Sequence, residues 1–152
     1  MYGELGDLPA PDWSLVEQRL EQAHLYWVVA VSSEWPHPRP VWGVWHQGLL
    51  CLSIGSPVIR RSMAVDGRVT VHLESATEVV VLEGTVAQDA DTSAAVVRYD
   101  AKYDYAYDVA RYGSLVGIAP TKVLAWTAAG VAGRDGFRSA GSWTFPQWAA
   151  PT

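Results

Sequence analysis

Two hydrophobic rhythms run along this chain. Between residues 14 and 23, Val16, Leu20 and Ala23 recur on one helical face, and Ser14 with Glu17 makes an S-x-x-E capping box, so an amphipathic helix lying across a sheet is predicted there. The pattern then shortens to β-rich runs at 26–32, 39–45, 49–53, 69–73, 78–86 and 121–128. His46, Gln47 and Gly48 suit a hairpin between the second and third runs, and residues 74–77 join the fourth and fifth. Several runs are apolar on both faces, so one face can fill a barrel while the other meets helices or a second subunit. The expected architecture is mainly β: a six-stranded antiparallel barrel, closed or half-open, with flanking helices.

Two helical insertions interrupt the strands. Gly55 and Ser56 read as the entry to a short helix over 56–65, with Pro57 in its first turn. A longer helical region is predicted over 91–112, where Tyr99, Tyr103 and Tyr107 fall four residues apart beside a stripe of Asp100, Asp104 and Asp108. That spacing suits tyrosines packed on the barrel with acids turned to water, or tyrosines lining a pocket. The segment 129–152, rich in Gly, Pro and Trp, is expected to wrap over another surface, leaving residues 1–152 as one domain with its barrel over 26–128.

Composition narrows the choice of function. A chain of 152 residues with 49% hydrophobic content is enough for one ordinary core. No apolar run approaches the ~20 residues of a membrane span, and the first residues lack the basic flank and apolar stretch of a secretion signal. A cytoplasmic protein without membrane partners is therefore expected. Cys51 is the single cysteine, which fits a reducing compartment and a small core residue. The net charge of −5 argues against a general nucleic-acid binder. His24, His37, His46 and His72 are scattered without metal-ligand spacing, so no metal site is expected. Neither a nucleophile elbow nor a GxGxxG fingerprint is present. The 8 Trp and 7 Tyr exceed what a core of this size needs and suit interfaces or planar ligands.

One anion site stands out. Arg60 and Arg61 sit near the positive end of the predicted helix, where a cation is disfavoured. A phosphate held by the Ser56 hydroxyl, the free N–H groups of the first turn and one or both arginines would offset that conflict. The alternative is that both arginines face water or pair with a carboxylate such as Asp66.

The order of these elements, with "YWVVAVSSEWPHPRPVWGVW", "GLLCLSIGSPVIRRSM", "GRVTVHLESATEVVVLEGTV" and "PTKVLAW", resembles the pyridoxamine 5'-phosphate oxidase-like split β-barrel family and its small flavin and deazaflavin oxidoreductases. The resemblance runs over nearly the whole chain. It implies that Arg39, Pro40, Val41 and Trp42, then Ser53, Ile54, Gly55 and Ser56, and then Arg60 with Arg61, hold the phosphate-bearing end of FMN or of the deazaflavin coenzyme F-420. It further implies a homodimer with two shared cofactor sites and hydride transfer to or from a small conjugated substrate, with no dedicated catalytic side chain. Trp143 matches the tryptophan of the family's C-terminal motif, although Ser142 stands where the family carries arginine. With only Arg61 and Arg68 to extend a basic track outward, FMN is preferred over the acidic-tailed F-420. A non-catalytic flavin, haem or tetrapyrrole binder is the alternative of another class.

Overall fold

The computed structural model describes residues 2–4, 6–128 and 136–149. Among these the chain runs β1 (Tyr2–Glu4), α1 (Trp13–Gln22), β2 (Tyr26–Ala30), β3 (His37–Val41), β4 (Gly43–His46), β5 (Leu49–Leu52), α2 (Pro57–Val65), β6 (Arg68–His72), β7 (Glu78–Val86), α3 (Ser93–Tyr103), α4 (Val109–Tyr112), β8 (Val116–Thr127), a short 3-10 turn (Gly136–Ser139) and β9 (Gly141–Thr144). The sheet is antiparallel throughout, in the order β1-β9-β8-β7-β6-β2-β3, and it curls because β5 also pairs with β8 and carries β4 on its other side.

Side-chain alternation builds the interior. One row of directly opposed residues crosses the sheet as Val28, Val71, Leu82, Val123 and Trp143, all buried. The next row over is Trp27, His72, Val81, Leu124 and Ser142, and it points to the other face, as the period of two requires. Gly84 sits beside a bulge that makes Thr121 the extra residue; a Cβ there would lie 2.6 Å from the Ala119 carbonyl oxygen, so only glycine fits. The core is completed by Val16 and Leu20 of α1 and by Ile59 and Met63 of α2.

Six strands were expected and nine are present among the described residues. The run 39–45 is two strands, because the chain leaves β2 after Val41 and joins β5 from Gly43, bending at Trp42. Apolar patterning alone does not report such a change of partner. β8 starts five residues earlier than predicted, at Val116, where its first part pairs with β5. β1 and β9 supply the other additions, so the tail joins the sheet through β9 instead of wrapping over another surface. The parts of that tail at 129–135 and 150–152 lie outside the described residues.

The helices also differ in detail. The capping box is absent: α1 begins one residue early, at Trp13 behind Asp12, and Glu17 turns to the barrel to accept the Trp45 indole N–H at 2.9 Å. The helical region 91–112 breaks at Asp104, which takes a left-handed φ of 48° and separates α3 from α4. The Tyr99 to Tyr107 stripe therefore leaves the helix after Tyr103. Asp100 does not simply face water, since its carboxylate accepts the Tyr107 N–H at 2.9 Å. The hairpin at Gln47 and Gly48, with φ of 50° and 77°, is as predicted.

Candidate functional site

The bend at Trp42 brings three parts of the predicted site together. The Ser53 N–H donates to the Trp42 carbonyl at 2.9 Å, which fixes the end of β5 against the β3–β4 junction. The Trp42 ring stacks on Tyr103 with centroids 4.4 Å apart and planes parallel within 1°. Tyr99 and Tyr105 approach the same indole at 6.4 and 6.0 Å. Tyr99 and Tyr107, at 5.2 Å, extend the cluster, so α3 and the segment between α3 and α4 form an aromatic cap over Trp42 and Ser53. Burial pushes the Tyr99 phenol upward, opposed in part by its hydrogen bond to Ser53.

Downstream, Ser56 caps α2 as expected, its hydroxyl accepting the Ile59 N–H at 3.4 Å. Pro57 has no N–H, and the Arg60 N–H goes to the Ser56 carbonyl, so the first turn leaves chiefly the Val58 N–H for a ligand. Gly55 faces open space.

The two arginines have different duties. Arg60 donates from Nε to the Ile54 carbonyl at 2.6 Å and from Nη2 to the Tyr112 carbonyl at 2.9 Å, tying the start of α2 to the end of α4. Its charge lies near the α4 C-terminus, where the dipole favours a cation. Arg61 lies beside a groove of about 420 Å³ formed with Val31, Ser32, Ser33, Ser62 and Val65. Asp66 borders that groove but belongs to Arg68, which donates to it at 2.6 to 3.2 Å and holds its carboxyl down at about 2. The proposed pairing of either helix arginine with Asp66 is thus absent.

The remaining predicted residues separate. Arg39 and Pro40 are exposed on β3, an edge strand, and Arg39 donates to the Pro38 carbonyl at 2.7 Å. Val41 and Ile54 pack into the barrel core. Trp143 is buried as well, its ring 5.7 Å from Trp13, which leaves it no free face in the protomer. Sequence reading missed the carbonyls that occupy Arg60, because backbone acceptors from a distant turn leave no mark on the local pattern. It also missed Lys102, whose amine bonds the Tyr26 hydroxyl at 3.0 Å and the Gly43 carbonyl at 2.9 Å. A lysine in the last turn of a helix ordinarily reads as a surface cation. Among the described residues no group of His, Cys, Asp and Glu is arranged to hold a metal, and no helix is long and apolar enough to cross a membrane.

No family model and no curated protein matches this sequence. Solved structures do match in shape. An F-420 reductase shares 16% identity over 70% of this chain and 94% of its own, with a TM-score of 0.55. A pyridoxamine 5'-phosphate oxidase-like protein from Listeria innocua shares 14% over 72% and 94%, with a TM-score of 0.58. A heme binding protein from Mycobacterium smegmatis shares 18% over 90% of this chain and 60% of its own, with a TM-score of 0.62. At such identities the likeness is one of fold: this chain has the pyridoxamine 5'-phosphate oxidase-like split β-barrel.

Proposed function

We infer that this protein is a flavin-dependent oxidoreductase that binds FMN between two copies of the chain and exchanges hydride with a small conjugated substrate. The observation that carries this reading is the set of unengaged donors along α2, with Arg61 bordering an open groove. Arg61 has no carboxylate partner among the described residues, while the Ser56 hydroxyl proton and the Val58 N–H lie on the same short helix. One phosphate needs about that many charge-assisted donors. Arg60 supports them by fixing the loop at Ile54.

The second copy of the chain is supported by the outer face of the sheet, where Trp27, Val81 and Leu124 stand in one row and remain half-buried in the protomer. Within this row the Trp27 and His72 rings lie parallel within 6°, their centroids 6.2 Å apart. Burying such a row against its copy would remove apolar area from water at about 25 cal/mol per Å². When bound, the flavin supplies the hydride chemistry. The chain's part is to anchor the phosphate, orient the ring and exclude water, with the α3 and α4 aromatics as walls on the substrate side.

Deazaflavin F-420 is the second reading, favoured by the likeness to an F-420 reductase. A haem or tetrapyrrole carrier is the third, favoured by the likeness to a heme binding protein. The visible spectrum of the purified protein separates these. Flavin bands, or their appearance on adding FMN, with turnover of the reduced cofactor, support the oxidoreductase. A haem spectrum without turnover overturns it.

A further inference from the structure

Lys102 sits at the end of α3 in a groove of about 260 Å³ shared with Glu21, Val44, Trp45, Arg98 and Ala101, away from α2. Among the described residues its amine has no carboxylate within ion-pair distance; its partners are the neutral Tyr26 hydroxyl and the Gly43 carbonyl, and it lies over the Tyr26 and Tyr103 rings at 4.8 and 5.2 Å. The Tyr26 hydroxyl in turn donates to the Leu20 carbonyl, which turns its lone pairs to the amine. The charged groups lining the groove with it are Glu21 on α1 and Arg98 one turn back on α3, and Arg98 makes one long hydrogen bond among the described residues, to the Trp45 carbonyl at 3.4 Å. Tyr103 donates elsewhere, to the His24 and Gly43 carbonyls.

We propose that Lys102 is a nucleophilic amine that forms an imine with small aldehydes bearing a carboxylate, the carboxylate being met by Arg98. The amine lone pair adds to the carbonyl carbon, and the oxygen takes up the proton that nitrogen loses. The carbinolamine then releases one water as the C=N bond forms, with no net oxidation or reduction. Glu21 is the carboxylate in the groove available for the proton exchange. Burial supports the assignment: desolvation lowers the Lys102 amine to about 8. At pH 7.5 such an amine is on the order of a hundred times richer in its neutral form than a lysine of ordinary value. This site does not depend on the cofactor reading.

The lysines of the chain are Lys102 and Lys122, so modification is easily assigned by peptide mass spectrometry. The folded protein is treated at pH 7.5 with glyoxylate and cyanoborohydride, and in parallel with propanal. Glyoxylate is expected to label Lys102 at least about tenfold faster than Lys122, with a rate that levels off above a midpoint of about 8. Arg98→Gln should slow labelling by glyoxylate several-fold and leave labelling by propanal unchanged. Equal labelling of the two lysines, or a Lys102 rate still climbing above pH 10, overturns the nucleophile. An Arg98→Gln protein that treats the two aldehydes alike overturns the carboxylate specificity. Lys102→Arg must abolish the label at that position, and the pH profile of the unmutated protein stands as the test if that variant does not fold.

Discussion

Leu82, in the middle of the barrel, is closed in by Val71 and Val123 across the strands, whereas Tyr103, in the aromatic cap, is held by a phenol shared among three backbone groups. The barrel rests on aliphatic burial, which has no proton to lose and tolerates little loss of volume. The cap rests on phenols, one lysine and the Arg60 clasp, all directional and all dependent on their partners' protonation or position. The lesson is that the scaffold and the part covering the candidate site are stabilised by different chemistry, so they can be disturbed separately.

The largest effect is expected in the barrel. Leu82→Ala removes a fully buried side chain and should cost about 2–5 kcal/mol in urea unfolding, with the whole chain losing structure together. In the cap, Tyr103→Phe leaves the buried Gly43 N–H without its acceptor and should cost about 1–3 kcal/mol. Hydrogen exchange should report that loss chiefly in α3, α4 and the Trp42 junction. Faster exchange spread evenly through β6, β7 and β8 would show that the two regions are one unit.

The pH dependence sharpens the contrast. Lys102 titrates at about 8 in the folded chain because burial disfavours its charge, against 10.5 when free. Between those values the unfolded chain binds the extra proton, so stability rises with pH across that window. Tyr103 acts in reverse: burial, offset in part by its bond to Gly43, pushes it up to about 12, so above pH 10 the unfolded chain ionises first and stability falls. Cap stability followed by hydrogen exchange should therefore peak between about 8 and 10.5, and Lys102→Met should remove the rise. A flat profile in the unmutated protein would contradict it.

The smallest effects on stability belong to the arginine pair. Arg60→Ala should loosen α4 by about 1 kcal/mol, since its partners are neutral carbonyls and its bond to the α4 carbonyl of Tyr112 is exposed. Arg61→Ala should change stability by less than about 0.5 kcal/mol. Melting curves of the two variants give the order; a larger loss from Arg61→Ala would reverse the roles assigned to them.

How legible these regions were follows the same division. The β-rich runs disclosed most of the strands, and Ser56 with Pro57 disclosed α2, because both signals are local; the inward rows were not legible, since several runs are apolar on both faces. The break at Asp104, the bend at Trp42 and the occupation of Arg60 depend on contacts with residues tens of positions away, such as Tyr103 with Gly43 and Arg60 with Tyr112. Trp143, matched to the family's C-terminal motif, stands opposite Val123 in the core row, a position its motif does not report. Of the two helix arginines offered for a phosphate, Arg60 is already engaged by backbone carbonyls, while Arg61 borders an open groove.

Titration of the cofactor-free protein with FMN and with F-420 at matched ionic strength, read by quenching of tryptophan fluorescence alongside sedimentation, tests the central claim most directly. Saturable FMN binding by a dimer, weakened at least about tenfold in Arg61→Ala as the loss of a charge-assisted phosphate contact requires, is the predicted result. A folded protein that stays monomeric and binds neither cofactor would contradict it.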